Sequence, residues 1–452
     1  MTNRLISFWI ELRASLWFVP GLMIAASIVL ALVLVEVDST IGNDWTSRYP
    51  LLFGVGVDGS RGMLTAIASS MLTVAALVFS LTLNAVNQAS GQFTPRIFRN
   101  FLRDRANQFV LGYFVSIFAY CLIVLRTIRS GDEAIFVPSI AVVTGLVMAI
   151  GGILVLIFFI NHIAASLQIS NIIGEIVDET KKSISTLFPD DLGKPAAEDD
   201  DEIDDRLDDA QRDWVKVPSS RSGYVKLVDI DDLAEFAANN ACVVRMEVAV
   251  GSFVGTGSRI VSVLPLDDKE FDDDKIEELN DLFVVSRDRT IEQDIGFGLR
   301  QLVDIALKAL SPGINDTTTA VNCFENLGEL IGELATKEFP ERVRVADGKN
   351  LIIVKAPGFA DFLGTAFDQI RISGKGNSAV FMKLASAIGL VAERTDSRSR
   401  RSALISQLML TAEYAEMTLE TEDEKQRVKK RIDHVRDGLL AAALEPGENA
   451  LA

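Results

Sequence analysis

Asp294, Arg300, Asp304, Asn315 and Asp316 are the residues of this chain best equipped to grip a small ligand or a cation. They fall within "DRTIEQDIGFGLRQLVDIALKALSPGINDTTTAVNC", residues 288–323, around a break at Ser311-Pro312-Gly313. A structural reading competes with the ligand reading. Arg300 and Asp304 stand four apart, the spacing that pairs charges along a helix. Asp316 precedes three threonines, as an N-cap would. Catalysis needs a nucleophile with a positioned base, or metal ligands of suitable type. The chain holds only two histidines, His162 and His434, and three scattered cysteines, Cys121, Cys242 and Cys323. It therefore reads as a non-enzyme, with neither a cofactor nor a metal centre expected.

A second constellation is polar without charge. In "SSMLTVAALVFSLTLNAVNQ", residues 69–88, hydroxyls and amides interrupt a run apolar enough for lipid. At 100° per residue Thr65, Ser69, Thr73, Ala76, Ser80, Asn84 and Asn87 share one arc. Leu64, Ile67, Met71, Val74, Val78 and Leu81 occupy the rest. Polar groups facing hydrocarbon stay unsatisfied, so the stripe must meet protein or water. Close helix packing is one answer, because small residues let backbones approach and hydroxyls bond neighbouring carbonyls. A pore lining is the other, with several copies presenting rings of hydroxyls and amides to ions.

Beyond that helix stand Arg96, Arg99, Arg103 and Arg105, beside an apolar side of Phe93, Ile97, Phe98 and Phe101. They suit an interfacial helix that meets lipid phosphates. Alternatively they dock on an acidic segment and couple a cytosolic domain to the polar helix. His162 reads as a packing residue, with a proton sensor as the sharper alternative.

Stepping outward, the elements that hold these residues follow from the charge map. Residues 14–35, 62–95 and 106–125 carry no charge, and 134–174 carry none apart from the titratable His162. A hydrocarbon core of about 30 Å needs about 20 apolar helical residues, so all four windows predict transmembrane helices. The second and fourth are long enough to continue past the bilayer. Basic residues favour one side: Arg4 and Arg13, then Arg96 to Arg105, then Lys181 and Lys182. The positive-inside rule places both termini in the cytoplasm, with Trp9, Trp17 and Trp45 suiting an interfacial belt.

Net charge is −18, which argues against nucleic-acid partners. Residues 190–213 hold twelve acidic and three basic side chains. That run reads as a solvated linker. A divalent-cation sensor is the sharper reading, but the spacing of a carboxylate loop is missing.

From about 214 the chain reads first as β, then as α. "YVKLVDI", "ACVVRMEVAV" and "GSFVGTGSRIVSVLP" alternate or punctuate like strands of a small lipoyl-like β-sandwich. A short strand is predicted at 351–357, and helices at 359–374, 378–393 and 401–442.

Two stretches carry a family resemblance. "RNFLRDRANQFVLGYFVSIFAYCLIVLRTIR", within 69–129, and "FGLRQLVDIALKALSPGINDTTTAVNC", 297–323, resemble the bacterial membrane proteins grouped as domain of unknown function 2254. "SGYVKLVDI" at 222–230 is similar too, and the likeness spans nearly the whole chain. Thr317 departs from a proline usual in that family. The resemblance implies an inner-membrane protein with a cytosolic domain and supplies no activity.

The expectation is therefore an α-helical membrane protein with four transmembrane helices and a C-terminal cytosolic α+β domain. Its parts are 1–188 in the membrane with a helical extension, an acidic linker 189–213, a soluble domain 214–445 and a tail 446–452. The function expected is an oligomeric inner-membrane channel, lined by the second helix and gated or assembled by the soluble domain. Its partners would be the lipid bilayer, further copies of itself and inorganic ions. A non-conducting scaffold or sensor, whose soluble domain binds a partner or ligand, is the alternative.

Overall fold

The computed structural model describes residues 17–41, 56–92, 104–131, 134–188, 214–266, 271–339, 343–347 and 350–444. The chain divides into two compact units, Met1–Ile172 and Ile173–Ala452. The boundary falls inside the helical extension that the sequence reading groups with residues 1–188 and takes to run out of the membrane.

Four helices of the first unit are long and apolar enough to cross a membrane. They are α1 (Phe18–Ile41), α2 (Val57–Gln92), α3 (Arg105–Thr127) and α4 (Ser139–Ser166). A two-stranded ribbon, β1 (Arg129–Gly131) with β2 (Ala134–Phe136), joins α3 to α4. Helix α3 is the hub, packed by α1, α2 and α4. Its Val110, Phe114, Ile117, Tyr120 and Val124 are buried at helical spacing. The Tyr120 hydroxyl donates to the Ala141 carbonyl (2.7 Å) and Tyr113 to Met148 (2.9 Å). Gly145 lies against Leu64 and the Tyr120 ring, and a Cβ there would press most closely on Leu64. At the start of α4, the Asp38 carboxylate of α1 accepts from the Ile140 and Ala141 amides. It satisfies N–H groups that a helix start leaves without partners.

The fourth helix does not run on as one piece. It ends at Ser166, and α5 (Ile169–Leu187) begins after a two-residue step. Asn171 makes that step favourable, because its Nδ2 donates to the Ala165 carbonyl that the ended helix exposes (2.7 Å).

The second unit takes in most of α5 and then builds two sheets. The strands are β3 (Val215–Pro218), β4 (Gly223–Val228), β5 (Cys242–Met246), β6 (Phe253–Val254), β7 (Arg259–Pro265), β8 (Phe283–Ser286), β9 (Val343–Asp347) and β10 (Asn350–Ile353). One sheet has the order β3-β7-β5-β10-β9, with only β10 and β5 parallel, and the other β6-β4-β8. Val225 and Val228 of the small sheet share a core with Val244, Val261 and Ile352 of the large one. Helices α6 (Ile230–Asn239) and α7 (Asp273–Asp281) close that core with Leu233, Phe236 and Leu279. Neither helix was expected. The layer is thus sheet plus helix, not sheets alone.

The helical part comprises α8 (Ile295–Ala309), α9 (Thr317–Leu334), α10 (Phe359–Ser373), α11 (Ser378–Ala392), α12 (Arg398–Thr418) and α13 (Glu422–Leu444). The helix expected over 401–442 is therefore two. Leu419 leaves the helix extended and buried, and Thr421 restarts it: its hydroxyl donates to Glu424 (2.9 Å) and accepts from the Glu424 amide (3.3 Å). That is a capping box, written in the sequence as "TEDE".

Candidate functional site

The polar stripe of α2 lies on the outside of the four-helix unit. Thr65, Ser69, Thr73, Ala76, Ser80, Asn84 and Asn87 are all exposed. The buried face is the opposite one, with Leu64, Ala68, Ala75, Val78, Ala85 and Val86 against the bundle. Packing among the described residues of the four-helix unit thus leaves the stripe uncovered. Of the residues expected on the other faces, Leu64, Ile67 and Val78 are buried in the protomer and Leu81 is exposed. Leu72, Leu77, Phe79 and Leu83, all exposed, flank the polar arc. The Thr73 hydroxyl donates to the Ser69 carbonyl (2.9 Å), a local bond that lets a threonine sit near lipid. An asparagine amide has more groups to satisfy than one such bond supplies.

Arg105 is exposed in the first turn of α3, while Arg96, Arg99 and Arg103 lie outside the described residues. The residue between them, Asp104, is the N-cap of α3 and accepts from the Ala106 amide (2.9 Å). Its other oxygen stands 2.5 Å from His162 Nε2. His162 stacks on Phe158, so it is held on both sides as a positioned packing residue of α4. The acidic run 190–213 also lies outside the described residues.

The five residues of the Ser-Pro-Gly region are not gathered into one pocket. Asp294 caps the start of α8, accepting from the Phe297 amide (2.9 Å) and pairing with Arg289 (2.7 Å). Burial raises its carboxyl above the ordinary range, and the guanidinium and the amide offset this only in part. Arg300 and Asp304 pair along α8 at 3.6 Å, as their spacing implies. Asn315 and Asp316 lie past the far end of α8, about 22 Å from Asp294 by the rise of a 15-residue helix. Asn315 is exposed with φ +49°, the left-handed conformation that asparagine tolerates. Asp316 caps α9: its oxygens accept from the Thr319 amide (3.0 Å) and hydroxyl (2.6 Å). That hydroxyl first, then the amide, holds the Asp316 carboxyl below its ordinary range. Caps and ion pairs thus engage Asp294, Arg300, Asp304 and Asp316, and Asn315 sits in the turn between α8 and α9.

A cavity of about 730 Å³ in the second unit lies elsewhere. Its walls include Met246, Ile295, Phe339, Phe359 and Phe362, with Lys355 and Arg400 as its cations. Only Asp294 belongs to the residues picked from the sequence. The others come from strands and helices far apart in the chain, so no spacing brings them together. The one local signal was "VKAPGF", a Pro-Gly turn between β10 and α10. Among the described residues no three His, Cys, Asp or Glu side chains converge as a metal set.

Comparison with known proteins agrees with the membrane helices. The family described as "Predicted membrane protein (DUF2254)" matches residues 13–389. "Uncharacterized protein MT1328" of Mycobacterium tuberculosis is 31% identical over 95% of this chain and 81% of its own length. "Uncharacterized protein Mb1321c" of Mycobacterium bovis has the same identity and coverage. No solved structure matches. The four apolar helices and the match over most of the chain lead to one conclusion: this protein belongs to the DUF2254 family of predicted membrane proteins.

Proposed function

We propose that the protein is an oligomeric inner-membrane conduit for ions, lined by α2, with both termini and the second unit in the cytoplasm. One observation carries the reading: every residue of the polar stripe is exposed on the protomer, while α2 buries its opposite face. Hydroxyls and amides left facing hydrocarbon cost free energy, so further copies or water must cover them. Several copies of α2 around an axis supply both, with Leu72, Leu77 and Phe79 packing between neighbours. The stripe carries no charge, so selectivity falls to amide dipoles and hydration. The reading assigns no catalytic role.

Single cysteines at Ser69, Thr73, Ser80 and Asn84 test it, in a background lacking the native cysteines, which are buried. Membrane-impermeant thiol reagents should modify all four and change the conductance of planar bilayers. Val78, buried, and Leu154, exposed on α4, should stay unmodified. Unreactive stripe positions in a protein that conducts nothing would replace the conduit with a helix-packing surface.

A second reading keeps the membrane anchor and makes the cytosolic unit a sensor or scaffold. The 730 Å³ cavity favours it, since ligand sites of small molecules are concave, apolar and of this size.

A further inference from the structure

The cavity of the second unit has a chemistry that selects its occupant. Its walls are aromatic and aliphatic: Met246, Ile295, Phe359 and Phe362 are buried core residues that also face the space. Such a lining excludes a small hydrophilic ion as the whole ligand, because the apolar volume would stay dry and unfilled.

The charged groups around it are unequal. The two carboxylates are already occupied: Asp294 by Arg289 (2.7 Å) and the Phe297 amide, and Asp361 by the Gly358 amide (2.9 Å). Arg400 is different. Its guanidinium donates to the carbonyls of Ala335 (2.5 Å) and Lys337 (2.6 Å) and lies over the rings of Phe339 and Phe359 (5.3 and 5.7 Å). The Ala335 carbonyl ends α9, so carbonyls and rings orient the guanidinium and offset its charge only in part. The acid whose field it feels, Glu338, is exposed to water. Lys355 is exposed, and its ammonium likewise donates to a carbonyl, that of Glu247 (2.9 Å). Gly358 and Phe359 bring the start of α10 to the same space, where Asp361 already supplies the negative charge that a helix start favours. Half-burial depresses the Arg400 pKa, and the Glu338 charge opposes this only in part.

We propose that this cavity binds a single-chain amphipathic anion. Its apolar body lies among Met246, Ile295, Phe339, Phe359 and Phe362, and its carboxylate or phosphate head meets Arg400 and Lys355. A neutral lipid would offer the Arg400 guanidinium no further counter-charge, and a nucleotide would find few polar groups to read its base. Gln293, the amide in the wall, already accepts from the Val228 N–H (3.1 Å). The proposal concerns the second unit alone and stands whether or not the chain conducts.

The test uses the full chain in lipid nanodiscs with a myristate analogue carrying a photoreactive group on its tail. Crosslinks should map to peptides around Met246, Phe339 and Phe359. Dodecanoate or dodecyl phosphate should compete, and the stronger competitor identifies the head group, while dodecanol and inorganic phosphate should not. Arg400→Gln should cut labelling about tenfold, the scale of one lost charged hydrogen bond. Lys355→Gln should cut it less. If Arg400→Gln lowers the melting temperature, Ala356→Trp, which fills the mouth, must abolish labelling instead. Crosslinks confined to α1–α4 would overturn the proposal. So would dodecanol competing as well as dodecanoate, inorganic phosphate competing as well as dodecyl phosphate, or full labelling of a folded Arg400→Gln protein.

Discussion

Asp316 illustrates how one carboxylate can be explained by its neighbours. The Thr319 hydroxyl and amide hold its pKa below the ordinary carboxylate range. In the unfolded chain it titrates in that ordinary range, so the folded state binds fewer protons. Its contribution is therefore full above the unfolded value and disappears as pH falls through the folded one. Asp316→Ala should destabilise by about 1 kcal/mol at neutral pH, as for other lost caps. Thermal melts of the two proteins should converge on acidification; a gap independent of pH would mean that the charge is irrelevant. Asp294 has the opposite sign, because burial raises its pKa, so its share weakens as pH rises through the folded value. The left-handed Asn315 supplies a separate check. Asn315→Val should cost about 1–2 kcal/mol and Asn315→Gly should be neutral, both read from the same melts.

Among the elements, α2 and α5 show what a helix face decides. In α2 the polar arc could be read from spacing, but its direction could not, since packing and pore lining need the same residues. Among the described residues nothing of the four-helix unit packs over it. Asn84→Leu should therefore leave the fold intact and alter the oligomeric state or conductance, measured by native mass spectrometry and bilayer recording. Unchanged assembly and conductance would count against a role for that amide. In α5, Ile173, Ile176, Val177, Thr180 and Ile184 are buried. Thr180 sits directly on Gly298 of α8, where a Cβ would collide with its side chain. Gly298→Ala should cost about 1–3 kcal/mol by overpacking. An unchanged melting temperature would show that α5 swings clear of α8.

For the whole molecule, most of α5 belongs to the second compact unit. Lys181 reaches Glu329 of α9 at 3.3 Å, and Arg394, in the turn after α11, meets the same carboxylate at 2.6 Å. Arg394 first, then Lys181 opposing the cost of burial, keeps the Glu329 carboxyl below its ordinary range. A fragment of residues 169–445 should fold in water and melt higher than one of residues 214–445, which lacks α5 and uncovers Gly298. Equal melting temperatures would return α5 to the membrane unit. Aggregation of both fragments would deny the second unit its independence.

Composition and charge by themselves determined the coarse plan. Four uncharged windows predicted four long apolar helices, because the length of apolar run a bilayer requires is a local property. Strand alternation in "YVKLVDI" and "ACVVRMEVAV" and the cap at Asp316 were equally local, and family membership could be recognised in two motifs. Some misses were local too: "TEDE" marked the start of α13, yet the helical pattern on both sides of it reads through. Only tertiary structure decided which side of α2 is covered and where α5 belongs. It also gathered Met246, Phe339, Lys355, Phe359 and Arg400 around one space. Those outcomes depend on contacts between residues far apart in the chain, and the period of a helix records that a face exists but not what it meets.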